Sequence, residues 1–275
     1  MPSIIPVYKW IDGSASRGRG EALQFTIATI VNDLAQYEEM LASFAEGGFI
    51  DNCEFIGVDN RNGNQFDGYS GIRLLLAQAR GRYVIVCHQD VRLINDNRAT
   101  LEARLHDLEK VDPFWALAGN AGGTEDDLAI RISDPHGEDQ RRGELPSRVS
   151  SLDENFILVK AEAMIAPSAD LRGFHLYGTD LCLQASMRGH TAYVIDFHLR
   201  HLGRGTVGRD YYACLEALED KYSALMKTHR IRTTCLAPVM TPSPLRLAFA
   251  RLLRLRKKLK KLKIERLAQV QAPRV

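Results

Sequence analysis

The chain has 275 residues, 45% of them apolar and 25% charged, which is enough to bury one large core with appendages rather than two full domains. The formal net charge of +2 conceals an asymmetry: residues 245 to 275 hold 11 Lys and Arg and one acid, leaving 25 basic against 33 acidic residues before them. An acidic body argues against a nucleic-acid groove in the folded part, and places any attraction for anionic surfaces at the C-terminus.

Residues 1–22 mix Pro, Gly, Ser and Arg around a short apolar start and read as an N-terminal extension. Order is expected from Phe25, where Phe25 to Val31 is a strand-like run, followed by the helix-start signal Asn32-Asp33 and an apolar pattern through Leu34, Tyr37, Met40, Leu41 and Phe44. Gly47-Gly48 ends that helix, Cys53 to Val58 is the next strand, Ser70 to Arg80 a second helix, and Tyr83 to Val91 a strand that delivers His88 and Asp90. This β-α-β-α-β order implies parallel strands joined by crossovers, an α/β fold. A helix from about Arg98 to Lys110 and a strand from Phe114 to Ala118 follow, with Trp115 in the core. Residues 124 to 150 are polar and Pro/Gly-punctuated, and read as a long functional loop around an acceptor site. Asn155 to Val159 and Thr191 to Ile195 are further strands, with a helix from Asp180 to Arg188 between them. The main domain is expected over 23–235, and a linker and tail over 236–275.

Cys53, Cys87, Cys182, Cys214 and Cys235 are odd in number, widely spaced, and form no Cys-x-x-Cys pair for zinc. They read as reduced core thiols. With no apolar stretch of leader or anchor length at the N-terminus, a cytoplasmic location is the expectation.

Polar residues cluster after four separate strands: Asn32-Asp33, Asp59 to Asn64, His88 to Asp90, and His198 to Arg209. In an open α/β sheet the ligand crevice lies outside the carboxyl ends of the strands. Asp90, emerging from a buried run, is therefore either a metal and diphosphate ligand or a turn residue capping a backbone amide.

The segments Phe25-Thr-Ile-Ala-Thr-Ile-Val-Asn32, Phe55-Ile-Gly-Val-Asp59-Asn60, Leu76 through Gly81 to His88-Gln-Asp90-Val, and Tyr177-Gly-Thr-Asp180-Leu-Cys-Leu-Gln-Ala together resemble the family 2 glycosyltransferases of GT-A fold, over roughly residues 24 to 225. Within that family they are most similar to the bacterial StrF-like subgroup. The resemblance implies a Rossmann-like, mostly parallel central sheet with helices on both faces. It implies a nucleotide-sugar site formed by Asn32, Asp59, Asn60, His88, Asp90 and Arg204. Asp59 would hold the base or ribose, and Asp90 a divalent cation, Mn²⁺ or Mg²⁺, that bridges the donor diphosphate. Asp180 would be the general base of an inverting transfer, its alternative being an N-terminal helix cap. His201, in Phe197-His-Leu-Arg-His201-Leu-Gly-Arg204, would contact the cation or diphosphate, or else belong to an ordinary exposed strand, and Arg204 or Arg209 would fold over the diphosphate as a lid. Here the chain departs from the common Asp-x-Asp pattern, because His88 stands in place of the first acid, where it either hydrogen-bonds substrate or Asp90 or has a packing or turn role. Asp153-Glu154 either line the acceptor pocket or are solvated, while His175 and Tyr177 would orient the acceptor sugar by hydrogen bonding and stacking.

The expected function is transfer of a sugar from a nucleotide donor to a glycan or lipid-linked acceptor, in polysaccharide or glycoconjugate synthesis. The alternatives are a catalytically silent glycan-binding or membrane-docking relative and a nucleotidyltransferase. The last expects a Gly-rich phosphate loop with Lys or Arg after the first strand, which Val31-Asn32-Asp33-Leu34 lacks. From Leu245, leucines at three- and four-residue spacing among Arg and Lys make a basic amphipathic helix, suited to an anionic membrane surface over residues 245–267 or to a short coiled coil. The membrane-facing reading would make the protein peripheral on the inner face of the cell membrane.

Overall fold

The computed structural model describes residues 6–12, 23–205, 207–230 and 239–271, so Cys235 and most of the N-terminal extension lie outside the described residues. In chain order the elements are β1 (Tyr8–Trp10), β2 (Leu23–Val31), α1 (Leu34–Glu46), β3 (Cys53–Asp59), α2 (Gly68–Gln78), β4 (Gly81–Cys87), β5 (Val91–Leu93), α3 (Arg98–Val111) and β6 (Trp115–Gly119). There follow β7 (Ala121–Gly123), β8 (Leu128–Asp134), β9 (Gly137–Arg142), β10 (Ser147–Val149), β11 (Ser151–Leu152), β12 (Phe156–Lys160) and α4 (Tyr177–Met187). The chain closes with β13 (Thr191–Val194), β14 (Leu199–His201), α5 (Arg209–Leu225), β15 (His229–Arg230), β16 (Val239–Met240) and α6 (Pro244–Gln271). It divides into two compact units, Met1–Leu218 and Glu219–Val275.

In the first unit, eight strands form one sheet in the order β1-β3-β2-β4-β12-β6-β13-β10. The β2, β3 and β4 pairings are parallel, as the intervening helices require, and β1 from the N-terminal extension adds a parallel edge strand beside β3. β12 runs antiparallel between β4 and β6, and β13 is parallel to β6. The sheet is thus mixed but mostly parallel, the α/β architecture expected.

Alternation along the strands sorts the helices to two faces. Phe25, Ile27 and Val31 of β2 join one core cluster with Tyr37, Met40, Leu41 and Phe44 of α1 and Leu101, Leu105 and Leu108 of α3. On the opposite face Gly71 of α2 sits so close to Ile30 that an added methyl would lie 2.9 Å from its Cδ1, and Gly178 of α4 packs against the Leu152 carbonyl and, beyond it, Ile157. Trp115, Phe25, Phe44, Phe156 and Phe197 are all fully buried, and each such ring contributes about 2–3 kcal/mol of apolar transfer. Trp115 stacks on Tyr83 and donates its indole N–H to Glu109 at 2.8 Å.

The polar stretch 124–150 is not a loop. Leu128–Asp134 and Gly137–Arg142 form an antiparallel hairpin in a second sheet, ordered β11-β7-β8-β14-β5, with β9 paired to β8. Its charges made it read as loop, but they are what hold it. Arg131 bonds Asp196 at 3.0 Å and also Asp139, while Arg104 of α3 and Arg141 of β9 reach the same Asp196 at 3.4 and 3.3 Å. The shared carboxylate ties the polar side of this small sheet, while Val91, Ile132 and Leu199 bury its other side in the core.

In the second unit β15 and β16 pair antiparallel, and α6 extends for 28 residues. Among the described residues no helix is long and apolar enough to cross a membrane.

Candidate active site

A cleft of about 740 Å³ opens in the first unit beyond the carboxyl ends of β2, β3 and β4. Two distant sequence segments meet in it through strand pairing. β4 ends at Cys87, releasing His88, Gln89 and Asp90 before β5 begins. β5 pairs antiparallel with β14, placing His201 opposite Val91, and the Leu202 N–H donates to the Asp90 carbonyl at 3.1 Å. That register brings two residues 111 positions apart side by side: His201 Nε2 lies 3.3 Å from Asp90 Oδ1. His88 Nδ1 lies 3.4 Å from His201 Nε2 and 4.0 Å from Asp90 Oδ1.

The three donor atoms fit a divalent cation. They lie within 4.8 Å of one another, and ligands each about 2.1 Å from one ion stand roughly 3 Å apart. His88 is oriented for this by its far nitrogen, Nε2, which is 3.1 Å from the Tyr177 hydroxyl; that hydroxyl in turn donates to the Glu154 carbonyl at 3.3 Å. An outer hydrogen bond of this kind fixes the tautomer of a ligating imidazole. Gly203 leaves the seat open, because a methyl there would lie 2.7 Å from Asp90 Oδ2 and 3.3 Å from His201 Nε2.

Electrostatics follow from the same contacts. Burial works against ionisation of Asp90, but the His201 hydrogen bond and the nearby imidazoles outweigh it and hold the carboxyl below its ordinary range. Burial likewise opposes charge on His201, and Asp90 reverses the balance, raising it. His88 is pushed down, first by burial and then by His201.

Glu154 is the second chemical feature. It follows β11, lines the cleft, and its Oε1 accepts the Gly178 N–H at 3.2 Å in the first turn of α4. Burial, reinforced by the neighbouring Asp153, pushes its carboxyl up to about 8, even though backbone N–H groups at the helix start pull the other way. Asp153 also lines the cleft, and its Oδ1 accepts the Asn155 N–H at 3.0 Å.

Asn32, Asn60, His175, Tyr177 and Arg204 all line the cleft. Asn32 is gripped by Gln89, whose Oε1 accepts the backbone N–H of Asn32 at 2.9 Å and of Asp33 at 3.0 Å. Asn60 is buried and clasps its own loop, donating to the Phe66 carbonyl at 2.7 Å and accepting the Phe66 N–H at 3.1 Å. His175 meets Tyr211 edge-on with ring centroids 5.5 Å apart.

Two expected residues are elsewhere. Asp59 is absent from the cleft wall: Arg61 donates to its carboxylate from Nε at 2.9 Å and from its second guanidinium nitrogen at 2.6 Å, which holds the carboxyl down at about 2. Asp180 does not reach the cleft either. The helix begins at Tyr177 after Leu176, in a left-handed conformation, so Asp180 stands inside the first turn and is fully buried. Its two oxygens accept the Ser168 N–H and Ser168 hydroxyl, each at 2.7 Å. Asp180→Ala should therefore lower stability by about 3 kcal/mol in denaturant melts, because two buried donors lose their acceptor; an unchanged midpoint would refute this structural role.

Asn64 and Val207, within the polar clusters expected after the strand ends, line the cleft too, as do His136, Phe174 and Tyr211, which were not anticipated. Of those three only His136 had a signal, as the one histidine in the polar stretch 124–150, and its Nε2 lies 3.3 Å from the Arg204 carbonyl.

Among known proteins, the chain is 43% identical over 208 residues to the "ATP synthase subunits region ORF 6" protein of Fuscovulum blasticum, an alignment covering 73% of this chain and 84% of that one. The chain belongs to the ORF 6 family. That name assigns the ORF 6 family no activity. No family model matches the chain. Solved structures that align with this ORF 6 family member include TarS of S. aureus, with TM-score 0.48 and 14% identity over 72% of this chain and 39% of that one. TarS 1-349 in complex with UDP aligns with TM-score 0.46 and 12% identity, over 66% of this chain and 61% of that one. The chain thus spans less than two thirds of either TarS chain, and likenesses this slight transfer no chemistry to the ORF 6 family.

Proposed function

We propose that the protein is an inverting glycosyltransferase that moves a sugar from a nucleoside-diphosphate donor to a hydroxyl of a glycan or lipid-linked acceptor, as the resemblance to the StrF-like family 2 enzymes implies. One observation carries the reading: the His88, Asp90 and His201 donor atoms converge within 4.8 Å on the wall of the same cleft that exposes Glu154. A divalent cation held there would neutralise the charge that develops on the leaving diphosphate. Two imidazoles and one carboxylate favour Mn²⁺ over Mg²⁺, since Mg²⁺ prefers an all-oxygen shell.

The remaining steps belong to the chain's own groups. Asn32, held by Gln89, and Asn64 offer polar contacts at the donor end, and Arg204 supplies the nearby positive charge for the diphosphate. Phe174, His175 and Tyr211 offer ring faces to the acceptor sugar. Glu154, in place of Asp180, takes the proton: the acceptor oxygen bonds to the anomeric carbon as its O–H proton passes to the carboxylate, and the bond to the diphosphate breaks on the opposite side. Such chemistry suits polysaccharide or glycoconjugate synthesis on the cytoplasmic face of a membrane.

Thermal melts with UDP, GDP and dTDP sugars, with and without Mn²⁺, test the reading. A matching donor at a hundred times its Kd stabilises by about 2.7 kcal/mol, so Tm should rise by roughly 5–10 °C, and only with Mn²⁺ present. No shift with any nucleotide sugar would sink the proposal.

A further inference from the structure

The C-terminal unit carries a chemistry the cleft does not use. α6 runs from Pro244 to Gln271, and Leu245, Ala248, Phe249, Leu252, Leu255 and Leu259 recur along it at spacings of three and four, a single apolar stripe. That stripe faces solvent: Leu245 is 83% exposed, Phe249 62%, Leu255 52% and Leu259 56%. A run of large side chains left in water marks a surface made to be covered. Arg246, Arg251, Arg254, Lys258, Lys260 and Lys263 are exposed around it, and no acid occurs between residues 244 and 264.

We infer that α6 docks in the plane of an anionic lipid bilayer, with its leucines and Phe249 among the acyl chains and its cations at the headgroups. Charge complementarity selects this occupant. A second copy of the helix would bring like-charged rows together, which opposes a coiled coil despite the suitable leucine spacing. A nucleic acid would satisfy the cations and leave the apolar stripe in water. The density of charge also prevents spanning, in keeping with the lack of a membrane-crossing helix among the described residues. An amphipathic helix with a basic face and a leucine face satisfies both halves of a bilayer interface at once.

The test is co-sedimentation of the full chain with vesicles of phosphatidylcholine alone or containing 30% phosphatidylglycerol. The wild-type protein should bind the anionic vesicles, release in 0.5 M NaCl, and bind neutral vesicles only weakly. Each cation at such a surface strengthens binding about fivefold, so Arg254→Gln, Lys258→Gln and Lys260→Gln combined should weaken it on the order of a hundredfold. Leu252→Ser with Leu259→Ser should weaken binding to the same vesicles with every charge in place, and circular dichroism would verify that both variants stay folded. Wild-type protein that ignores anionic vesicles, equal binding to both vesicle types, or unchanged binding by either folded variant would overturn the inference. So would concentration-dependent dimerisation in solution that the leucine substitutions abolish while lipid binding persists.

Discussion

Asp90→Asn should abolish the Mn²⁺-dependent rise in Tm and lower sugar transfer by a thousandfold or more, about 4 kcal/mol of barrier, while the cation-free protein melts within a few degrees of wild type. The asymmetry follows from what the side chain does. Its neighbours in the resting protein are the half-buried His201 and His88. The fold uses the main chain of this residue instead, through the Asp90 carbonyl that accepts the Leu202 N–H. An amide of the same shape keeps the β5–β14 junction but removes the only anionic donor of the set. Asp59→Asn is the matched control. Its carboxylate is already engaged by Arg61 away from the cleft, so the Mn²⁺ response should be unchanged. Retention of the full Mn²⁺ shift by the Asp90 variant would remove the cation from the His88, Asp90 and His201 cluster.

How much of this could be read along the chain depends on whether the deciding contact is local. The β2-α1-β3-α2-β4 half was legible because each boundary is set by adjacent residues. Asp33 accepts the Gln36 N–H at 3.1 Å, and Asp67 with Ser70 closes a capping box. His88, Asp90 and His201 were legible as members of polar clusters after strand ends, although their distances depend on a β5–β14 register that no periodicity announces. Asp180 shows the limit. An acid early in a helix looks the same whether it faces a cleft or a core, and its partner, Ser168, sits in a segment with no regular pattern. The hairpin of residues 128–142 was obscured for a similar reason, since Asp196, which gathers Arg131 and Arg141, lies more than fifty residues away.

The same limit explains why Glu154 stood in the sequence only as an acceptor-side acid. Its altered acidity depends on burial, on Asp153 and on the start of α4, and only the first neighbour is visible locally. The cleft therefore holds two kinds of carboxyl group. Asp90 is held ionised by imidazoles, ready to share a cation, and Glu154 is held near neutrality, ready to exchange a proton. Separating two carboxyl groups in this way is how one site divides electrostatic work from proton transfer.

Glu154→Gln should accordingly lower transfer by two to four orders of magnitude while keeping the Mn²⁺ and nucleotide-sugar response in thermal melts. In the wild-type protein, transfer should climb with pH and level off above about 8, where the carboxylate is ionised. Stability gives an independent reading with the opposite sign. The folded protein keeps the Glu154 proton up to about pH 8, whereas the unfolded chain releases it near its ordinary value of 4.5. Between those values the folded state binds more protons, so this residue subtracts from stability progressively as pH rises through the window, and the loss is complete above it. A neutral amide has no such loss. Glu154→Gln should therefore be more stable than wild type at pH 9, by on the order of 5 kcal/mol and with a higher Tm, the gap closing toward pH 4.5. Full transfer activity in this variant would take Glu154 out of the base role, and a pH-independent Tm difference would show that its carboxyl is not held protonated by its surroundings.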